Sequence, residues 1–347
     1  MATLHNRVSR KELKEKAASE TLLRNTLSFY CYFEIIDPVS LRNHWYSILD
    51  SLGVKGRIYI ANEGINAQVS CPVDHYESLK KFIYAEPSLN NLRLNKAIEE
   101  SKNAFYVLDI KVRKKIVADG IEDPNFSMSN SGNYVNASEF NTMVKDPNTL
   151  VIDMRNHYEY EVGRFKTAQE IPSDTFREQL PMAVEMFNQK KDQNIIMYCT
   201  GGIRCEKASS WMLHNGFKNV FHLEGGIINY INQVKDLNIE NHFIGKNFVF
   251  DERLGERITE DIISNCHQCG KPCDTHVNCL NSGCHMLFLQ CTACNELFNG
   301  TCSEECKSIT SMDLDSQKTL RKGIDKGRNV FNKSKKNTEL IKEKNKK

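Results

Sequence analysis

The hexapeptide Cys199-Thr200-Gly201-Gly202-Ile203-Arg204 stands between an apolar run, Asn194 to Tyr198, that reads as a buried strand, and a helical stretch from Cys205 to Asn215. A thiol is thereby placed at a strand-to-helix turn. Two glycines let backbone N–H groups point into the bend, and the helix that follows adds its positive end, so an anion held over the loop is stabilised. Cys199 is the candidate thiolate, with a lowered pKa and real nucleophilicity. Thr200, Gly201, Gly202, Ile203 and Arg204 complete the candidate loop. Four residues separate Cys199 from Arg204, one fewer than in cysteine-dependent phosphatases, so the cradle is small for a phosphate and suits sulfur or carbon chemistry better.

Around this loop the pattern alternates strand and helix. Leu150 to Met154 reads as a strand, helical patches follow near 175 to 190, then come the strand Asn194 to Tyr198 and the next helix, as in an α/β domain with a mainly parallel sheet. Active groups of such sheets sit beyond the carboxyl ends of strands, where both Asp153 and Cys199 fall. Asp153 and Arg155 read as a buried ion pair that holds the loops rather than as direct participants. Cys205 has two readings, a resolving thiol for an oxidised Cys199 or a small residue packed in the first helical turn, and the packing reading is preferred. His157, Glu206 and Lys207 lie nearby in sequence, and none earns a role from sequence.

The segment before this domain reads as strand 27–36, helix 38–52, a hairpin over 56–61 and 65–70, helix 73–85 and further strand within 104–117, an order that suggests a ferredoxin-like α+β domain. Arg57, Arg113, Lys114 and Lys115 could form a basic sheet edge for RNA, although Lys and Arg on an exposed strand more often discourage edge pairing. Residues 118–145, with Asp119-Gly120, Asp123-Pro124 and a Ser/Asn-rich run, read as a connector.

Nine of the thirteen cysteines crowd into residues 266 to 306. Cys266-x2-Cys269 and Cys291-x2-Cys294 have the spacing that directs two thiolates at one tetrahedral ion, and Cys273, Cys279, Cys284, Cys302 and Cys306 offer further ligands, with His267, His276 and His285 in reserve. Two structural zinc ions need eight ligands. So short and polar a stretch has little apolar material for a core, which a structural metal would replace. Free buried thiols and an iron–sulfur cluster are the other readings.

The separated motifs Val151-Ile152-Asp153-Met154-Arg155, Tyr158-Glu159-Tyr160, Gly163, Ile171-Pro172, the Cys199 loop, Gly216-Phe217 and Leu223-Glu224-Gly225-Gly226 resemble a rhodanese domain over roughly residues 146 to 240. The match departs at Gly163-Arg164-Phe165 and in Cys205. Glu63-Gly64-Ile65-Asn66 before it, and Gly245-Lys246-Asn247-Phe248-Val249-Phe250-Asp251-Glu252-Arg253 and the cysteine-rich tail after it, extend the resemblance to the bacterial tRNA uridine hydroxylase (TrhO) family over nearly the whole chain. That resemblance implies oxygen-dependent conversion of a wobble uridine to 5-hydroxyuridine, tRNA as partner, molecular oxygen as co-substrate and a need for the loop cysteine. Lys246 and Arg253 join Arg57, Arg113, Lys114 and Lys115 as candidate RNA contacts. The rhodanese loop alone favours a sulfurtransferase working through a Cys199 persulfide, and a non-catalytic scaffold is the third class. A small-molecule sulfur or electron donor would serve either enzyme. No flavin or haem motif stands in the sequence, and nothing in it specifies an oligomeric state.

The resulting order is an amino-terminal arm (1–26), a ferredoxin-like domain (27–117), a connector (118–145), a rhodanese domain (146–240), a cysteine-rich metal-binding region (241–310) and a basic tail (311–347). The 347 residues carry a net charge of +2, yet from Lys307 onward 13 Lys and Arg face 5 Asp and Glu. That tail reads as a disordered solubilising end or as a contact for a polyanion. No stretch approaches the roughly 18 apolar residues of a membrane helix, and the charged amino terminus is unlike a signal peptide, so a cytoplasmic protein without membrane contact is expected.

Overall fold

The computed structural model describes residues 8, 10–20, 22–99, 104–173, 175–322 and 341. After helix α1 (Arg10–Ser19), strand β1 (Arg24–Tyr32) alternates, with Leu27 and Phe29 buried and Ser28 and Tyr30 on the opposite face. Helix α2 (Pro38–Ser51) starts where the Asp37 carboxylate accepts the backbone N–H groups of Val39 and Ser40. Strands β2 (Lys55–Ala61) and β3 (Gly64–Pro72) form the hairpin, and Gly64 is required at its start because a Cβ there would stand 2.0 Å from the Cys31 carbonyl oxygen. Helix α3 (Tyr76–Tyr84), the two-residue β4 (Asn95–Lys96) and β5 (Leu108–Val112) complete the domain.

The sheet order is β4-β1-β3-β2-β5, the ferredoxin-like arrangement with β5 added parallel to β2. Trp45, Leu49, Leu79 and Ile83 of the two helices cover one face, packing on Leu27, Ile58, Ile60 and Ile65, and each such residue contributes about 1.5–3 kcal/mol by leaving water. The other face carries Ser28, Tyr30, Arg57, Tyr59, Asn66 and Gln68. The structure moves the start of this domain from 27 to Arg24, since Arg24 is itself buried in the sheet and donates to Ser70 and the Gly53 carbonyl.

The second domain begins inside the expected connector. Strand β6 (Asn133–Val135) and helix α4 (Ala137–Met143) belong to it, β6 pairing with a later strand through only three residues, too few for a periodic signal. Strand β7 (Thr149–Asp153), the short helix α5 (His157–Tyr160), β8 (Gly163–Phe165), β9 (Ala168–Glu170), α6 (Phe176–Met186), β10 (Asn194–Tyr198), α7 (Ile203–His214), β11 (Asn219–Leu223) and α8 (Gly226–Leu237) follow. Strands β6-β11-β10-β7-β9 make one sheet that is parallel throughout. Its near-continuous apolar strands are buried on both sides: Ile152, Ile195 and Met197 pack against α6 and α7, while Val151, Ile196 and Tyr198 pack against α4 and α8.

Beyond α8 the chain returns to this domain. Strand β12 (Phe243–Asn247) pairs antiparallel with β8 and with β13 (Glu256–Arg257), which brings the turn between them across the carboxyl ends of the parallel strands. The cysteine-rich region then forms the hairpin β14 (His276–Asn278) and β15 (Leu287–Leu289) and the helices α9 (Thr292–Phe298) and α10 (Glu304–Ser311). Where a disordered tail was expected, residues 314–321 form helix α11 (Leu314–Arg321), capped by Asp313, and Ile341 is buried beside Cys279, Cys302 and Cys306. The rest of the basic tail lies outside the described residues. Among the described residues no helix is long and apolar enough to cross a membrane.

Candidate active site

Cys199 follows β10 directly and is 1 % exposed. Gly202 turns the loop with a φ of 100°, in the left-handed region open to glycine, and its backbone N–H donates to Cys199 Sγ at 3.1 Å. Burial alone would raise the thiol pKa; the Cys205 thiol, the Arg204 charge and the backbone N–H groups of residues 204 and 205 outweigh it and bring Cys199 down to about 6. Cys199 is therefore mostly thiolate at neutral pH. Burial and the adjacent thiolate push Cys205 well above its ordinary range, so it stays protonated and serves as a hydrogen-bond donor. Cys205 packs in the core and does not line the cavity described below.

The loop is held by a carboxylate that sequence reasoning missed. Glu159 is fully buried and receives Arg204 Nη1 and Nη2 at 2.7 and 2.8 Å, the Thr200 hydroxyl at 3.2 Å and the Asn156 backbone N–H at 3.1 Å. Burial raises its pKa, and the bidentate Arg204 contact more than offsets this, so the carboxyl is held below its usual range. The signal lay in the Asn156-x-x-Glu159 capping box that starts α5. Asp153 and Arg155, one strand away, form a fully buried pair with contacts of 2.6 to 3.1 Å; Tyr198 also donates to Asp153, and Arg155 donates to the Gly163 carbonyl. Both are absent from the cavity wall, so they position strands and loops.

A cavity of about 740 Å³ opens over Cys199 between three parts of the chain. Its floor is Cys199, Thr200, Gly201, Ile203 and Arg204; one wall is the polar face of the amino-terminal sheet; the other includes Val249, Phe250, Asp251 and Arg253. The two domains meet through Tyr30, which donates to Glu206 at 3.1 Å, and through Lys207, which is 3 % exposed and pairs with Glu63 at 2.7 Å and Asp119 at 3.3 Å. Glu206 also accepts from Tyr134, and His157 pairs with Glu170 at 2.7 Å. These three residues thus hold the domains and loops together. The Glu63-Gly64-Ile65-Asn66 and Phe248 to Arg253 motifs, 180 residues or more apart, converge on this one cavity.

The six basic candidates separate. Arg57 and Arg253 line the cavity. Arg253 is consumed by Asp251, Glu256 and the Glu99 carbonyl, all at 2.6 Å, which makes it a clamp on the wall. Arg113 lies over the Tyr59 ring at 5.5 Å, Lys114 is exposed, Lys115 pairs with Asp119 at 2.6 Å, and Lys246 packs beside Gly255 and is not among the residues that line the cavity.

Eight of the nine clustered cysteines form two groups. The Sγ atoms of Cys266, Cys269, Cys291 and Cys294 all lie within 4.8 Å of one another, as do those of Cys279, Cys284, Cys302 and Cys306. Recorded Sγ–Sγ separations of 3.6 and 3.7 Å suit the edge of a tetrahedron of about 3.8 Å built on metal–sulfur bonds of about 2.3 Å. The donor set fits a metal ion in each group. Cys273 is the correction: its Sγ accepts the Thr275 N–H at 3.5 Å and it stands outside both groups, because eight thiols complete two tetrahedra. The reserve histidines His267 and His276 face Glu161 instead, at 3.0 and 3.8 Å, and dock the cysteine-rich region on the central domain.

A low-pKa thiol in the loop between a parallel strand and the helix that follows it, in a sheet covered on both faces, defines a rhodanese-like domain, and residues 136–233 match the rhodanese-like domain model. Residues 24–116 match the UPF0176 acylphosphatase-like domain and residues 244–307 the rhodanese carboxyl-terminal model. The chain is 56 % identical over 335 residues to the tRNA uridine(34) hydroxylase of Escherichia fergusonii, covering 96 % of each, and 55 % identical over 336 residues to that of Pectobacterium carotovorum subsp. carotovorum, covering 96 % of this chain and 95 % of the other. This chain belongs to the tRNA uridine(34) hydroxylase family.

Proposed function

We propose that this chain hydroxylates the wobble uridine of tRNA at C5, using molecular oxygen and Cys199 as nucleophile. The observation that carries the reading is a buried thiol of pKa about 6 on the floor of a cavity of about 740 Å³, a volume that accepts an extruded nucleotide. A wobble base is already unpaired in its loop, so extrusion costs little. The Cys199 thiolate adds to C6 of the ring, and the C5–C6 electron pair moves to C5 in conjugation with the C4 carbonyl. C5 takes one oxygen atom; two electrons and two protons from a small-molecule donor carry the second away as water. Loss of the C5 proton and departure of Cys199 from C6 restore the double bond. The loop N–H groups and the Glu159-anchored Arg204 steady the thiolate before attack and after release.

Each four-cysteine group holds one zinc ion in a structural role, stabilising a region that has little apolar core of its own. The reaction takes place in the cytoplasm, where tRNA is found and thiols stay reduced. The test is nucleoside mass spectrometry of tRNA from cells lacking the gene and from the same cells given the intact chain or Cys199→Ala. A uridine bearing one extra oxygen that returns only with the intact chain is the expected result. Loss and return of a thiolated base instead would replace hydroxylation by sulfur transfer.

A further inference from the structure

If the thiolate meets C6, the opposite edge of the ring, with N3 and its flanking carbonyls, projects away from the loop into the cavity, one wall of which is the amino-terminal sheet. Register places two rows of side chains on that wall: Arg57, Gln68 and Ser28 in one, Tyr59, Asn66 and Tyr30 in the next. All six line the cavity. We propose that Gln68, flanked by Arg57 and Ser28, reads this edge and selects uracil over cytosine. The proposal rests on the hydroxylase reading given above.

The amide of Gln68 is oriented by a chain of hydrogen bonds. Asn66 Nδ2 donates to the Ile116 carbonyl at 3.1 Å, and Gln68 Nε2 donates to Asn66 Oδ1 at 2.9 Å. A backbone carbonyl only accepts, so Asn66 must turn its amino group to Ile116 and its oxygen to Gln68. Gln68 must then give its amino group to Asn66, which leaves Oε1 as a free acceptor among the described residues. The chain is rooted: the Ile116 N–H donates to Glu63 at 2.8 Å, and Lys207 holds the other Glu63 oxygen at 2.7 Å. On either side of Gln68 stand Arg57, a donor with no ion pair or hydrogen bond among the described residues, and Ser28, whose hydroxyl is buried without a partner.

Donor, acceptor and hydroxyl match the edge of uracil, which offers O2 and O4 as acceptors on either side of the N3–H donor. Cytosine presents a lone pair at N3 and an amino group at C4. Gln68 Oε1 would then face an acceptor and Arg57 a donor, and a site left with unpaired buried polar groups rejects the wrong ligand strongly.

The full-length, metal-loaded Cys199→Ser protein is titrated with three anticodon stem-loops identical except for uridine, cytidine or 3-methyluridine at the wobble position. With Gln68 intact, the uridine form should bind roughly ten- to a hundred-fold more tightly than the other two. Gln68→Ala should erase that preference at an unchanged thermal midpoint. An undiminished preference in Gln68→Ala overturns the proposal, as does a parent protein that binds all three alike. In either case 5-hydroxyuridine that still depends on the intact chain in cells shows that the hydroxylase reading stands without it, and its absence removes both.

Discussion

Gly202→Ala tests how the loop makes a thiolate. Gly202 combines a φ of 100° with the N–H that donates to Cys199 Sγ at 3.1 Å, and a Cβ on it would lie 2.9 Å from the Tyr30 hydroxyl. Alanine in this backbone region costs about 1–2 kcal/mol, so the peptide is expected to rotate and withdraw its N–H. A hydrogen bond to a charged group contributes about 1.5 kcal/mol at the low end, which corresponds to about one pKa unit, and Cys205, Arg204 and the N–H groups of residues 204 and 205 keep the rest of the shift. Cys199 should move from about 6 to about 7. At pH 6.5 the thiolate fraction, and with it the rate of iodoacetamide modification, should fall by about threefold. Rates are followed from pH 5 to 9 by mass spectrometry of the Cys199 peptide, which separates this thiol from the other twelve. The native curve should rise with pH through an inflection near 6. An inflection near 9 in the native protein refutes thiolate stabilisation by the loop, and an unshifted Gly202→Ala curve refutes the share assigned to this N–H.

Metal analysis of the purified chain should find two zinc ions per molecule, one after Cys279→Ser and two after Cys273→Ser, because Cys273 stands outside both four-thiol groups. Asp153→Asn leaves the fully buried Arg155 without its charge partner, so the denaturation midpoint should drop by an amount equivalent to about 3–5 kcal/mol, while the alkylation profile of Cys199 keeps its inflection. Glu159→Gln removes the carboxylate that pairs both Arg204 nitrogens, and a loss of similar size is expected by the same measurement. There, unlike Asp153→Asn, the Cys199 inflection should move as well, because Arg204 is among the groups that lower the thiol pKa.

Local pattern made much of this chain legible. The apolar run before Cys199, the glycines after it and the helix beyond specify a strand-to-helix thiol loop from neighbours within a few residues, and the Cys-x2-Cys pairs announce metal chemistry in the same local way. The three-residue β6 and the helix α4 were hidden, since so few residues carry no period, and β6 gains its partner only when β11 lies beside it. Glu159 was visible as a motif residue but not as the anchor of Arg204, because the two are 45 positions apart and meet only through the sheet. Which thiol of nine stands outside the two four-cysteine groups was likewise illegible, since spacing offers nine donors and only packing chooses eight.

The sequence alone thus pointed to the candidate thiol, the parallel α/β frame around it and the cysteine-rich end, all properties of short stretches whose periodicity and side-chain chemistry act locally. Tertiary structure decided what surrounds that thiol. The outer face of one sheet, the loop of a second domain and the Phe248 to Arg253 turn come from segments far apart in the chain, and they share a cavity because each domain packs its own apolar core elsewhere and leaves these surfaces to meet. Periodicity states that a residue faces away from its own core; it carries no information about what that residue will face.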